Sequence, residues 1–120
     1  MIEQLIYAVS KGVIELFSKH SIFYKCETQG LPAKYFLQLV GKHKNRRLIT
    51  ICLVQQKNKY MLEVLLHNTA RKLQVRLGYQ TGTEASEIGK LERIIKPIYI
   101  DIYEPDMFSI IEDLIIKSKG

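Results

Sequence analysis

Apolar residues recur near the start of the chain at spacings of three and four: Ile2, Leu5, Ile6, Val9, Val13, Leu16 and Phe17. That period puts them on one stripe of a helix, predicted over residues 2–18, with Glu3, Gln4, Ser10, Lys11 and Glu15 turned to solvent. Gly12 costs such a helix about 1 kcal/mol relative to Ala, and its presence predicts close packing against a sheet. Lys19 and His20 fall at the C-terminal end, where positive charge suits the helix dipole.

From Ser21 the period changes to two. Ile22, Tyr24, Cys26 and Thr28 share one face of a strand and Phe23, Lys25 and Glu27 the other, while Gln29, Gly30, Leu31 and Pro32 read as a turn. In a second strand, residues 35–40, Tyr35, Leu37 and Leu39 alternate with Phe36, Gln38 and Val40. A polar loop over 41–47 leads into residues 48–54, apolar on both faces and rich in β-branched side chains, which is the pattern of a central, doubly covered strand. After a turn at 56–59 come a fourth strand, 60–66, and a fifth in which Leu73, Val75, Leu77 and Tyr79 alternate with Lys72, Gln74, Arg76 and Gly78. Connections this short favour neighbouring antiparallel strands, because parallel crossovers need a dozen or more residues.

Helical spacing then returns. Thr81 and Glu84 match a capping box, after which Ala85, Ile88, Leu91 and Ile95 continue the period until Pro97 stops it. Ile98, Ile100 and Ile102 alternate with Tyr99, Asp101 and Tyr103 in a short strand. Pro105 and Asp106 open a final helix that Lys117 and Lys119 close. The expected fold is a single α+β domain over residues 1–120. It is an antiparallel β-meander of five to six strands with an N-terminal helix and two C-terminal helices packed mainly on one face, in the order α-β-β-β-β-β-α-β-α.

Composition agrees with a packed domain, since 47% of the residues are hydrophobic and 25% charged, far from the signature of disorder. No apolar run approaches the roughly 18 residues of a membrane-spanning helix, and Glu3 stands where a secretory signal would carry Lys or Arg. A cytoplasmic protein without membrane contact is expected. Cys26 and Cys52 lack the dense spacing of disulfide-rich secreted domains and are expected to be buried free thiols.

The net charge of +6 is unevenly spread. Residues 1–40 carry +1, residues 41–80 carry +8, and residues 81–120 carry −3, so the central third holds more than the whole excess. A basic surface concentrates polyanions, and each Lys or Arg seated on a phosphate releases a counterion. Because consecutive turns of a meander alternate ends, the basic turn at 57–59 should lie away from the loop at 41–47, with residues 71 and 72 back beside the loop. The candidate nucleic-acid-binding set is therefore Lys42, Lys44, Arg46, Arg47, Arg71, Lys72 and Arg76. Tyr35, Tyr60 and Tyr79 are candidate stacking platforms, although all three are in phase with apolar neighbours and so read equally as half-buried wall residues. Polar hairpins and Lys-guarded strand edges also occur with no ligand at all.

Chemistry finds less support. His20, His43 and His67 pair with no other ligand type at a metal-binding spacing, and the phosphate-loop, dinucleotide, nucleophile-elbow and zincin motifs are absent. No cofactor or metal is expected. A metal-dependent nuclease needs two carboxylates near one cation, and the meander offers only Glu27 and Glu63, with Glu15 on the first helix. The acids Asp101, Glu104, Asp106, Glu112 and Asp113 read mostly as helix-terminal and solvated groups. The expectation is a small non-catalytic nucleic-acid-binding protein. The alternative is a homo-oligomeric adaptor or regulator, joined through the wide stripe of Met107, Phe108, Ile110, Ile111, Leu114, Ile115 and Ile116 on the final helix, whose plainer reading is a buried core face.

Overall fold

The computed structural model describes residues 1–68 and 96–120. Helix α1 (Ile2–Lys19) is followed by strands β1 (Phe23–Glu27), β2 (Tyr35–His43), β3 (Arg46–Gln56), β4 (Lys59–Leu66) and β5 (Ile98–Asp101), and then by helix α2 (Met107–Lys119). These five strands form one antiparallel sheet in the order β1-β2-β3-β4-β5. The α+β plan and the antiparallel sheet are as expected, but the element order is not matched in full. The strand expected over 72–79 and the helix expected after Thr81 lie outside the described residues, and one C-terminal helix is described. The strand seated beside β4 is residues 98–101. The register explains why it fits there: Ile100 pairs with Leu62 and Ile98 with Val64, so its alternation prolongs rows of apolar side chains already set by β4.

Those rows face the helices. Leu37, Leu53, Leu62 and Ile100 align across β2 to β5, and Leu39, Ile51 and Val64 align in the next row. They form one core with Val9, Val13 and Phe17 of α1 and Ile111, Leu114 and Ile115 of α2. Each such side chain taken out of water contributes about 1.5–3 kcal/mol. α1 lies against β1, β2 and α2, and α2 against β3. In β3, Leu48, Ile49, Ile51, Cys52, Leu53 and Val54 are all buried, the double coverage that its uninterrupted apolar run predicts.

Two glycines mark close approaches. Gly41 lies in β2 where a Cβ would come within 3.0 Å of Ile22 and Ile49 and 3.2 Å of Phe17, so the helix end settles directly on the strand. Gly12 packs not against the sheet, as its position suggested, but against Phe108 of α2. The reason is that α1 and α2 touch each other as well as the sheet, and position 12 falls on the side turned to its fellow helix.

The exit from α1 places the start of β1. Ser21 takes a positive φ of 57°, Ile22 N–H donates to Phe17 O at 2.8 Å, and Ser21 N–H to Ser18 O at 3.2 Å. This is a Schellman closure with a serine in the left-handed position and Ile22 buried beyond it. Among the described residues β1 is an edge strand of the sheet, and its Phe23, Tyr24, Lys25 and Cys26 are exposed. Cys26 is therefore an exposed thiol rather than a buried one, whereas Cys52 is buried, and both are free. On α2, Met107, Ile111, Leu114 and Ile115 are buried in the core, while Ile116 is half-exposed. No helix among the described residues is long and apolar enough to cross a membrane.

Candidate nucleic-acid interface

The loop expected over 41–47 is much tighter than its polarity suggests. β2 runs to His43 and β3 begins at Arg46, leaving Lys44 and Asn45 as the turn. Their φ values are 51° and 62°, the type I′ geometry whose twist matches that of the flanking strands. A β-bulge makes this closure possible. Gly41 pairs with Ile49, but Lys42 pairs with Arg47 instead of Leu48, and His43 with Arg46. The extra residue is absorbed by the core, where Leu48 and Ile49 are both buried. Lys42 and Arg47 are consequently set directly opposite one another, and Lys42, Lys44, Arg46 and Arg47 are all exposed.

β1 extends this row. Phe23 pairs with Lys42 on the other side, so Phe23, Lys42 and Arg47 lie abreast across three strands. Phe23 is 77% exposed. Lys25 falls on the same face two residues along, and with Glu27, Gln38, Val40, Lys42 and Arg47 it lines a shallow depression of about 200 Å³. Lys25 Nζ sits 3.0 Å from Glu27 Oε1. A pair this exposed is worth about 1 kcal/mol or less, too little to withhold Lys25 from an incoming phosphate.

Four of the cations singled out by charge are thus brought together on one hairpin: Lys42, Lys44, Arg46 and Arg47. Arg71, Lys72 and Arg76 lie outside the described residues. Lys57 and Lys59 stand at the opposite end of the sheet, in and after a second two-residue turn with positive φ at Lys57 and Asn58. Phe23 and Lys25 join the cluster although nothing in the charge distribution points to them. Alternation places them on one face of β1, but only the register with β2 reveals which neighbours that face has. Of the three candidate stacking tyrosines, the two among the described residues are already engaged. Tyr35 is half-buried and donates its hydroxyl to Glu63 at 2.9 and 3.0 Å, and half-buried Tyr60 meets Phe36 edge-on with ring centroids 5.7 Å apart. Tyr79 lies outside the described residues.

Further along the same face, Glu63 accepts a second hydrogen bond from Tyr99 at 2.9 Å. Burial, reinforced by the bond to Glu63, pushes the Tyr35 phenol up to about 12 and raises that of Tyr99. Burial followed by the charge of Glu63 likewise pushes the Cys52 thiol up to about 12. All three groups hold their protons at neutral pH, so the cluster contains no activated nucleophile. Glu27 and Glu63 occupy one cross-strand row with Gln38 and Cys52 between them. Three strand spacings, roughly 14 Å, separate them, beyond what one bound cation can bridge. Among the described residues no three His, Cys, Asp or Glu side chains gather as metal ligands do. His20 Nε2 meets Glu112 Oε2 at 2.8 Å and His67 Nε2 meets Thr50 Oγ1 at 2.7 Å, contacts that tie elements together.

Comparison of the chain with protein-family models, with curated proteins and with solved structures finds no match.

Proposed function

We propose that this chain is a small non-catalytic protein that binds nucleic acid through the basic surface of its β-meander, centred on the β2–β3 hairpin. The row formed by Phe23, Lys42 and Arg47, with Lys44 and Arg46 at the adjoining turn, carries this reading. Lys42 and Arg47 face each other across the hairpin, and Lys42, Lys44, Arg46 and Arg47 are all exposed, so an anion arriving there meets several positive charges at once. An exposed aromatic ring beside clustered cations is the combination that single strands exploit, charge for the backbone and a flat face for a base. Lys25 belongs to the same surface. Arg71, Lys72 and Arg76 stay in the proposal on charge alone. The separation of Glu27 from Glu63, and the protons held by Tyr35, Tyr99 and Cys52, support a binding role over a cleaving one.

The test is fluorescence anisotropy of labelled single- and double-stranded oligonucleotides at low and moderate salt. With four phosphates neutralised, log K against log salt should fall with a slope of about −3 for a single strand, roughly fifty-fold between about 50 and 200 mM. Arg46→Glu/Arg47→Glu should abolish binding, while Lys57→Glu/Lys59→Glu, at the other end of the sheet, should lower it only slightly. Absent binding, or binding indifferent to salt and to the first variant, would remove the proposal.

A further inference from the structure

Beside the cation row, on the β1 edge, lies a second and larger recess. Ser18, Ser21, Ile22, Phe23, Tyr24 and His43 line a depression of about 600 Å³, within the size range of ligand sites. Its walls are mainly apolar, with the hydroxyls of Ser18, Ser21 and Tyr24 and the ring of His43 as the polar exceptions. His43 Nδ1 is buried and meets no hydrogen-bond partner among the described residues. The Schellman closure of α1 fixes one side and the type I′ hairpin the other, so the recess is held by two rigid junctions. Its rim is cationic on the hairpin side, where His43 pairs with Arg46 and precedes Lys44 of the turn, and Phe23 lines it on the β1 side.

We infer that this recess receives an unstacked base of a single-stranded nucleic acid, with Phe23 at its edge as the stacking platform and the Lys44 and Arg46 side chains on the flanking phosphates. The inference rests on the nucleic-acid reading above and adds to it a substrate class. A base within a duplex has both faces covered and its pairing edge occupied, so neither the Phe23 ring nor the polar groups of the recess can reach it. A single strand presents both. The charge of the rim complements the backbone that such a base carries with it, whereas an uncharged apolar partner would leave those cations unused.

The experiment uses the full chain with three labelled probes of equal length: an oligothymidylate, a mixed-sequence duplex, and an abasic strand that keeps the phosphates without the bases. The oligothymidylate should bind about ten-fold more tightly than the abasic strand, the effect of one stacked base. Phe23→Ala should erase that advantage, bringing oligothymidylate down to the affinity of the abasic strand. Because Phe23 is so exposed its removal leaves the fold intact, and Phe23→Trp supplies a second variant in a chain that has no tryptophan. The new indole should keep the preference and be quenched by oligothymidylate but not by the abasic strand. Equal affinity for all three probes, or an unaltered preference in Phe23→Ala, would overturn base recognition while the nucleic-acid reading stood. Loss of all binding in the wild type would overturn both. If Phe23→Ala instead converted a dimer to a monomer in sedimentation and left binding untouched, the ring would belong to a contact between copies and the inference would fail.

Discussion

The ring of Phe108 on α2 occupies the space where a side chain at position 12 of α1 would begin. Two opposing effects follow for Gly12→Ala: the helix gains about 1 kcal/mol in propensity, and the displaced ring costs about 1–3 kcal/mol in lost and strained packing. The net expectation is a loss of about 1 kcal/mol. In a Phe108→Ala background the overlap is gone, so the same substitution should stabilise by about 1 kcal/mol. Urea unfolding of the four proteins closes a double-mutant cycle, and additive effects would show that the two positions do not touch.

Glu63 accepts hydroxyl bonds from both Tyr35 and Tyr99, and its charge opposes ionisation of either. The Tyr35 phenol, raised from 10.0 to about 12, favours its protonated form in the folded chain. Stability from this source is therefore complete below pH 10 and is lost as pH climbs from about 10 towards 12. Ultraviolet titration should show Tyr35 and Tyr99 ionising above the ordinary tyrosine value of 10.0. Glu63→Gln should bring both downward, with Tyr35 still above its ordinary value because burial is the larger cause. A titration curve identical in wild type and Glu63→Gln would mean that the bonds are not made in solution.

Glu112, midway along α2, ties that helix to the end of α1, meeting Lys19 Nζ and His20 Nε2 at 2.8 Å each. These partners, Lys19 first, hold its carboxyl below the usual value of 4.5. A depressed folded-state value means that the contribution is present above pH 4.5 and disappears as pH falls through the lower folded value. The urea midpoint of wild type should exceed that of Glu112→Gln at neutral pH and converge with it in acid. A constant gap across that range would assign the effect to packing instead of charge.

The period of three to four in α1 and the apolar run of β3 are properties of single elements, and the sequence shows them directly because burial of one face needs no knowledge of the partner. Register is different. Nothing local to residues 41–48 reveals that Leu48 forms a bulge, yet that one residue decides whether Lys42 faces Leu48 or Arg47. Phe23 was legible as one face of a strand and illegible as a neighbour of Lys42, since that pairing is set by the Schellman turn before it and the loop after it. Gly12 signalled close packing correctly, but a missing side chain carries no information about which element fills its place. The tip of the hairpin was read as a long loop because Lys44 and Asn45 lack the glycine that normally announces a type I′ turn.

That substitution of Lys-Asn for the favoured Asn-Gly occurs twice, and the second instance offers a test free of the binding surface. Lys57 and Asn58 have φ of 49° and 63° between Gln56 and Lys59, which pair with each other. A lysine Cβ in the left-handed region costs about 1–2 kcal/mol, Asn less and Gly least. Lys57→Asn/Asn58→Gly should therefore raise unfolding stability by about 0.5–1 kcal/mol, a gain offset in part by the greater freedom of glycine in the unfolded chain. Asn58→Val, β-branched in the same region, should lower it by about 1–2 kcal/mol. Denaturant titration measures both. If the Asn-Gly variant were less stable than wild type, this turn would not have the type I′ geometry, and the eight-residue pairing of β3 with β4 that begins at Gln56 and Lys59 would need a different register.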